Sequence, residues 1–379
     1  MTIYTCVEDL RRAAQRKVPR MFYDYVAAGS YSESTMRANR ADLEKIRFRQ
    51  RVLLDVSKRD TSTTILGEKA GLPLILAPVG SAGMQRADGE ILALRAASAA
   101  GVPYTLSTNS IVSMEALAET VAKPFWFQLY VMRERKHAEG LIERAIAAKC
   151  SALVLTVDLP VLGQRHIDIK NGLSVPVRIG LDNLLDMATK IEWGLGMLRT
   201  RHRNFGNLAG RITGVNTVDD VAEFNARQID PALSWDDVAW VKSLWPGKLI
   251  IKGILDPEDA RRAVDVGADA LVVSNHGGRQ LDGAPSTISA LPAIAEAVGS
   301  EIEVLFDGGV RTGQDVMRAV ALGARACLIG RAYAWGLGAD GERGVANAIA
   351  FIKQELSITM ALTGITSIAD IDRSVLLDG

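Results

Sequence analysis

The chain has 379 residues, and its 44 Lys+Arg balance 44 Asp+Glu, which with a pI near 6.9 argues against a nucleic-acid binder carrying a basic excess. A hydrophobic content of 48% and a mean hydropathy of +0.11 fit a large globular core. The three cysteines, Cys6, Cys150 and Cys327, lie far apart with no C-x-x-C pair, so neither a disulfide framework nor a metal site is expected and a reducing cytosol is the natural compartment.

In chain order, residues 1–20 are mixed and charged, without the apolar core of a signal peptide. Residues 4–29 predict two amphipathic helices with Pro19 at the join and Gly29 as a stop. Residues 30–70 are polar and basic, which predicts irregular structure. The longest apolar run, 72–84, is interrupted by Pro78 and is too short to cross a bilayer. No Ser/Pro/Gly-rich linker divides the chain, so one domain over 1–379 is expected, with 1–70 as an N-terminal helical lid and 72–360 as its body.

From residue 72 a rhythm sets in. Apolar runs at 74–77, 104–106, 125–129, 152–157, 248–251, 270–273, 303–306 and 326–329 alternate with helical patterns such as 88–100, 133–149, 257–266, 286–298 and 312–322. Strands that are apolar throughout and separated by helices predict an α/β fold, a (β/α)8 TIM barrel with an N-terminal helical segment and a long insertion after strand 4. The competing doubly wound sheet would favour an early G-x-G-x-x-G after its first strand, which is absent.

A barrel carries its site just past the carboxyl ends of its strands. Those exits read Pro78-Val79-Gly80, Ser107-Thr108, Gln128-Leu129-Tyr130, Thr156-Val157-Asp158, Lys252, Ser274-Asn275-His276, Asp307-Gly308-Gly309 and Gly330-Arg331, polar or special in every case. The sixth holds one of only four histidines, three positions before Arg279, in a glycine-flanked loop. A base beside a permanent cation suits removal of a proton from a carboxylate-bearing substrate. The last two exits combine close-approach glycines with Arg311 and Arg331, the composition of a phosphate site.

The run Ser274-Asn275-His276-Gly277-Gly278-Arg279-Gln280-Leu281-Asp282 resembles the signature of the FMN-dependent α-hydroxy-acid dehydrogenases and oxidases. The resemblance extends through Tyr23-Asp24-Tyr25, Ala77-Pro78-Val79-Gly80, Phe127-Gln128-Leu129-Tyr130, Leu155-Thr156-Val157-Asp158, Lys252-Gly253, Asp307-Gly308-Gly309-Val310-Arg311 and Gly330-Arg331, nearly the whole chain. It implies FMN as cofactor and His276 as the base, with Asp158 pairing with its imidazole and raising its pKa. It implies that Arg279 and Arg165 bind the substrate carboxylate, and that Tyr25 and Tyr130 hydrogen-bond the carboxylate and hydroxyl. Lys252 would stand beside the reduced flavin's negative charge. Ser107, Gln128 and Thr156 would meet the ring's polar edge, Pro78, Val79 and Gly80 would line the ring, and Ser274 and Asp307 would complete the site. Gly308, Gly309, Arg311, Gly330 and Arg331 would hold the phosphate.

The implied reaction is oxidation of a small L-2-hydroxy acid, L-lactate first and mandelate as its rival, with a homotetramer as the implied assembly. Gly80 resembles the dehydrogenase branch more than the oxidases. With no haem motif in the chain, a membrane quinone or other respiratory component is the implied electron acceptor. Residues 159–235 form a long insertion in which Leu181, Leu184, Leu185, Ala188, Ile191, Leu195 and Leu198 recur at helical spacing before the basic run Arg199–Arg203. That pattern fits equally a helix on an anionic membrane and one packed on protein. The resemblance favours the membrane, since membrane-associated members have a long segment here. His166 and Asp168 read as loop residues, and His137 and His202 as surface ones.

Overall fold

The computed structural model describes residues 3–173, 177–212 and 214–377. The helices in chain order are α1 (Val7–Lys17), α2 (Arg20–Ala27), α3 (Ser34–Lys45), α4 (Gly89–Ala100), α5 (Met114–Thr120), α6 (Arg135–Ala147), α7 (His166–Lys170), α8 (Leu181–Thr189), α9 (Ile191–Arg199), α10 (Val218–Gln228), α11 (Trp235–Leu244), α12 (Pro257–Asp265), α13 (Thr287–Val298), α14 (Gly313–Ala321) and α15 (Arg331–Thr363). The last breaks its helical dihedrals at Asp340 and Gly341.

A short hairpin, β1 (Thr63–Ile65) and β2 (Glu68–Ala70), precedes eight parallel strands. These are β3 (Leu74–Leu76), β4 (Thr105–Ser107), β5 (Trp126–Leu129), β6 (Ala152–Thr156), β7 (Lys248–Ile254), β8 (Ala270–Val273), β9 (Glu303–Phe306) and β10 (Ala326–Ile329). They pair in the order β3-β10-β9-β8-β7-β6-β5-β4, and a parallel bridge between Leu76 and Tyr104 closes the ring. The eight predicted strands and their rhythm are thus those of an eight-stranded barrel.

Why the strands are apolar throughout follows from the two-residue period of side-chain direction. Ile75, Trp126, Val154, Ile250, Val272, Leu305 and Leu328 fill the barrel interior with Ile65 and Ala70 of the hairpin. Their neighbours Leu76, Phe127, Leu155, Ile251, Val273, Phe306 and Ile329 face the helices in a separate core. Two cores share seven of the eight strands; β4 gives only Leu106 to the outer core, and its other face carries the buried Thr105 and Ser107.

Three expectations are corrected. Residues 30–70 are not irregular: they hold α3 and the hairpin. The helix was hidden because it buries only Thr35, Asn39 and Leu43, too few apolar residues to make a periodic stripe. The hairpin turns on Leu66 and Gly67, both at positive φ (52° and 84°), a tight turn in which only the glycine is a sequence signal. The strand around 248–251 runs on to Ile254, so Lys252 lies inside it rather than beyond its end; a register shift between Lys252 and Ile254 at Gly253 turns the strand there. The apolar stripe of the insertion forms two helices, α8 and α9, hinged at Lys190, rather than one. Residues 174–176 and 213 of the insertion, and the first two and last two residues of the chain, lie outside the described residues.

Candidate active site

The carboxyl ends of the strands open into one cavity. Its lining includes Tyr25, Pro78, Val79, Gly80, Ser107, Tyr130, Arg165, Lys252, His276, Arg279, Asp307, Gly308, Gly309, Arg311, Gly330 and Arg331, contributed from positions 25 to 331 of the chain. Among the described residues no group of three or more His, Cys, Asp or Glu is placed to hold a metal.

His276 sits on the first turn after β8 with φ of 57°, and Gly277 and Gly278 follow at 67° and 74°. Three successive left-handed residues reverse the chain sharply, and the non-glycine member is strained by about 1–2 kcal/mol. The loop is held by hydrogen bonds. Asn275 Oδ1 accepts from Asn39 Nδ2 of α3 at 2.8 Å and from Gly278 N at 3.0 Å, while its Nδ2 donates to Asn39 Oδ1 and the Pro285 carbonyl. Ser274 Oγ, fully buried beneath the cavity, accepts from His276 N at 3.1 Å and from Lys252 Nζ at 2.8 Å.

The imidazole Nδ1 faces Asp158 Oδ1 at 2.9 Å. Burial and the nearby Lys252 and Arg279 cations lower the pKa of His276 although Asp158 pulls it upward, so the expected rise is corrected to a net fall. Burial would raise the pKa of Asp158, but His276 and Lys252 outweigh it and keep the carboxylate ionised. Lys252, 4% exposed, pairs with Asp307 Oδ2 at 3.1 Å. Burial opposes its charge, yet Asp307 and Asp158 hold the ammonium above its ordinary range. The Tyr130 hydroxyl is likewise pushed up, by burial first and Asp158 second.

Two guanidinium pairs lie over this floor. Arg279 and Arg165 both stand over the Tyr25 ring, at 5.0 and 5.6 Å from its centroid. Arg279 Nη1 donates to the carbonyls of Tyr25 (2.6 Å) and Ala28 (3.0 Å) at the end of α2. Burial and the charge of Arg165 pull its pKa down to about 10. Arg165 is steadied by Asp168 at 2.6 Å; that aspartate is 5% exposed and, like His166, lies in α7, a correction to the reading of both as loop residues. Its three-residue offset from Arg165 on one helical turn was the available signal. At the other end, Arg311 stacks over Trp335 at 4.7 Å, and burial and Arg40 bring its pKa to about 10. Arg331 donates to the carbonyls of Val26, Gly277 and Ala28, and burial with Arg279 and Arg311 lowers it well below the usual value. Crowded, buried like charges of this kind are complementary to anions, one at each end.

The residues present fit a flavin mononucleotide. Gln128 Nε2, Thr156 Oγ1 and Asp307 Oδ1 are buried polar atoms without a protein partner, as a heterocycle edge requires. Gln128 Oε1 accepts from Ser107 Oγ at 3.2 Å, which turns the amide's free donor elsewhere. At the Arg311 end Gly308 and Gly309 have φ of 102° and 89°, and a Cβ on Gly308 would lie 2.2 Å from Thr287 Oγ1. Glycine alone fits this turn, and it would let backbone N–H groups approach a phosphate closely. Sequence reasoning missed Asn109, Leu159 and Leu162, which also line the cavity, as well as Asn39 and Asp168. The two leucines flank Pro160 right after Asp158, and distance along the strand exit was their only signal.

A parallel barrel with a carboxylate-paired histidine, a buried lysine and arginine pairs at both ends defines a flavin-type oxidoreductase site. The FMN-dependent dehydrogenase family model matches residues 14–378, and the chain belongs to that family. It is 47% identical over 378 residues to an L-lactate dehydrogenase of Caulobacter vibrioides (strain NA1000 / CB15N), covering 99% of this chain and 98% of that one. It is 45% identical to the L-lactate dehydrogenase of Pseudomonas syringae pv. syringae (strain B728a), covering 99% of both. The crystal structure of the monotopic membrane protein (S)-mandelate dehydrogenase superposes with a TM-score of 0.95 at 35% identity, covering 100% of both chains.

Proposed function

We propose that this chain is an FMN-dependent L-lactate dehydrogenase, oxidising the L-2-hydroxy acid to its 2-oxo acid, L-lactate to pyruvate. The observation that carries the reading is the paired His276 and Asp158 below two carboxylate-ready arginines, in a chain 45–47% identical end to end to L-lactate dehydrogenases. FMN, when bound, supplies the acceptor for the substrate's two electrons. Arg279 and Arg165 bind the carboxylate, and the Tyr25 and Tyr130 hydroxyls orient the substrate's oxygens. His276, neutral at pH 7 because burial depresses its pKa, takes a proton at Nε2 while Asp158 stabilises the resulting imidazolium through Nδ1. Lys252 places a positive charge where negative charge develops, and Ser274 fixes both Lys252 and the His276 backbone. Gln128, Thr156 and Ser107 hold the polar edge; Gly308, Gly309, Arg311, Gly330 and Arg331 hold the phosphate.

A second reading, (S)-mandelate as substrate, is favoured by the TM-score of 0.95 to that dehydrogenase. Steady-state rates on L-lactate and on both mandelate enantiomers, with anaerobic bleaching of the yellow protein, decide between them. A preference for (S)-mandelate in kcat/KM, or no bleaching by L-lactate, rejects the lactate reading.

We further propose that the insertion lies on the inner face of the cell membrane and that electrons pass to a quinone. No helix among the described residues is long and apolar enough to cross a membrane. On α8 and α9, however, Leu181, Leu185, Ile191 and Leu198 are 78%, 67%, 70% and 70% exposed, and Arg199, Arg201 and Arg203 follow. Rapid peroxide formation without quinone reduction rejects this acceptor. The exposed Val52, Leu53 and Leu54 support burial in a homotetramer, which light scattering tests. One domain over 1–379, with 1–70 as a lid, remains the proposed organisation.

A further inference from the structure

The insertion does more than present leucines outward. Trp193 of α9 turns inward, and its ring stacks on Phe22 of α2 with 5.5 Å between centroids and 27° between planes. Its indole Nε1 donates to the Met84 carbonyl at 2.8 Å. Phe22 lies three residues before Tyr25 on the same helix, and Met84 ends the loop that begins with Pro78, Val79 and Gly80. One side chain therefore spans the two elements that carry Tyr25 and Gly80 to the cavity.

The surroundings reinforce this junction. Gln85 Nε2, next after Met84, donates to the Phe22 carbonyl at 2.7 Å and links the same two segments. Asp186 Oδ2 accepts from Arg20 N at the start of α2 at 2.6 Å. Glu192 of α9 pairs with Arg86 at 2.8 Å, and His202 Nδ1, three residues past α9, reaches Asp88 Oδ1 at 2.8 Å, so this part of the insertion is also tied to the residues that follow Met84. Inside the cavity the two elements nearly touch: a Cβ on Gly80 would lie 3.4 Å from the Tyr25 hydroxyl oxygen. Arg279 and Arg331 grip only the C-terminal carbonyls of α2. Elsewhere α2 is held by Asp24, which accepts from Asn171 Nδ2 at 2.8 Å, and by Tyr23, which accepts from Arg11 Nη1 at 3.2 Å; the contacts at Phe22 are the ones that join it to the segment carrying Gly80.

We propose that Trp193 is a positioning residue for substrate binding, clamping α2 against residues 78–84 so that the Tyr25 hydroxyl is held at the substrate carboxylate. The proposal rests on the reading of the cavity as a 2-hydroxy-acid site. Trp193 does not line the cavity, and its effect is on affinity rather than on the chemical step.

The test uses the full-length, flavin-loaded protein with Trp193→Ala and Trp193→Phe, the latter keeping the stack on Phe22 and losing the N–H. Two quantities are read: kcat and KM for L-lactate with a soluble dye acceptor, and Kd for oxalate from the flavin absorbance change without turnover. Trp193→Ala is expected to raise KM and the oxalate Kd about tenfold with kcat changed less than about threefold, and Trp193→Phe to fall between it and the parent. Unchanged KM and Kd in both variants, or a fall in kcat with KM unmoved, overturns the proposal. Should Trp193→Ala fail to retain flavin, the Trp193→Phe values decide alone by the same criteria. If the parent protein binds oxalate but does not oxidise L-lactate, the lactate reading fails while the ratio of oxalate Kd values still tests the clamp.

Discussion

His276 Nδ1 lies 2.9 Å from Asp158 Oδ1, although the two residues are 118 positions apart. The contact commits Nδ1 to the carboxylate, which makes Nε2 the nitrogen that the proposed mechanism uses. Because burial depresses the imidazole pKa, the acid limb of kcat/KM is expected below pH 6.5. Asp158→Asn removes the one strong upward influence, so the limb moves to still lower pH while the plateau falls about 10²-fold or more, as the imidazolium loses its partner. His276→Gln is expected to cost about 10²–10⁴ in kcat. A pH–rate profile of each variant checks both. The same depressed pKa has a stability consequence: the contribution is full above pH 6.5 and is lost as pH drops toward the folded-state value.

Arg279 separates charge from geometry. Arg279→Lys keeps a cation but cannot donate to the Tyr25 and Ala28 carbonyls while also offering a fork to a carboxylate. A raised KM for the hydroxy acid, equivalent to about 1.5–3 kcal/mol, is expected with kcat reduced less. Steady-state kinetics of the variant, with flavin content as control, measure it.

Gly253→Ala tests the bend in β7. The residue has φ of 116°, and a Cβ there would lie 2.6 Å from Asp158 Cβ. Strain and displacement together are expected to cost about 2–3 kcal/mol of stability. Because the displaced group is the partner of His276, kcat should fall as well. Denaturant unfolding paired with kcat reads out the two effects.

The membrane reading predicts a separation of properties. Leu184→Glu with Leu185→Glu puts charge on the exposed face of α8, where the leucines are 53% and 67% exposed. Flotation with phosphatidylglycerol vesicles is expected to be lost, while kcat and KM with a soluble dye stay at the parent values. Flotation that persists in the double variant counts against this face.

Glu115 is held by Arg144 at 2.7 and 3.1 Å, and although burial opposes it, this pairing lowers its pKa to about 2. The folded value lies below the unfolded one, so the stabilisation is present above pH 4.5 and lost as pH falls toward 2. With the side chain about a third exposed the effect is modest. Glu115→Gln should flatten the fall of Tm across that window in a pH series of thermal melts.

Much of this protein was legible before folding. The strand runs could be read because seven of the eight strands serve two apolar cores and leave little polar face to blur the pattern. Their exits could be read because a barrel collects its chemistry at one rim. The elements that escaped were those with weak or mixed periodicity. Helix α3 buries a threonine, an asparagine and a leucine, yet its Asn39 pins the loop carrying His276.

The sequence by itself determined which residue types stand where, and with them the barrel and the placing of His276, the cations and the glycine turns at the strand ends, because local period and strand-end position are properties of neighbouring residues. Only the tertiary structure decided the direction of the His276 pKa, which is set by burial and by cations brought from positions 252 and 279. It also decided that Arg331 grips the carbonyls of α2, and that Trp193 joins an insertion to both walls of the site. Each of these depends on desolvation or on contact between segments far apart in the chain, and neither has a signature in local order.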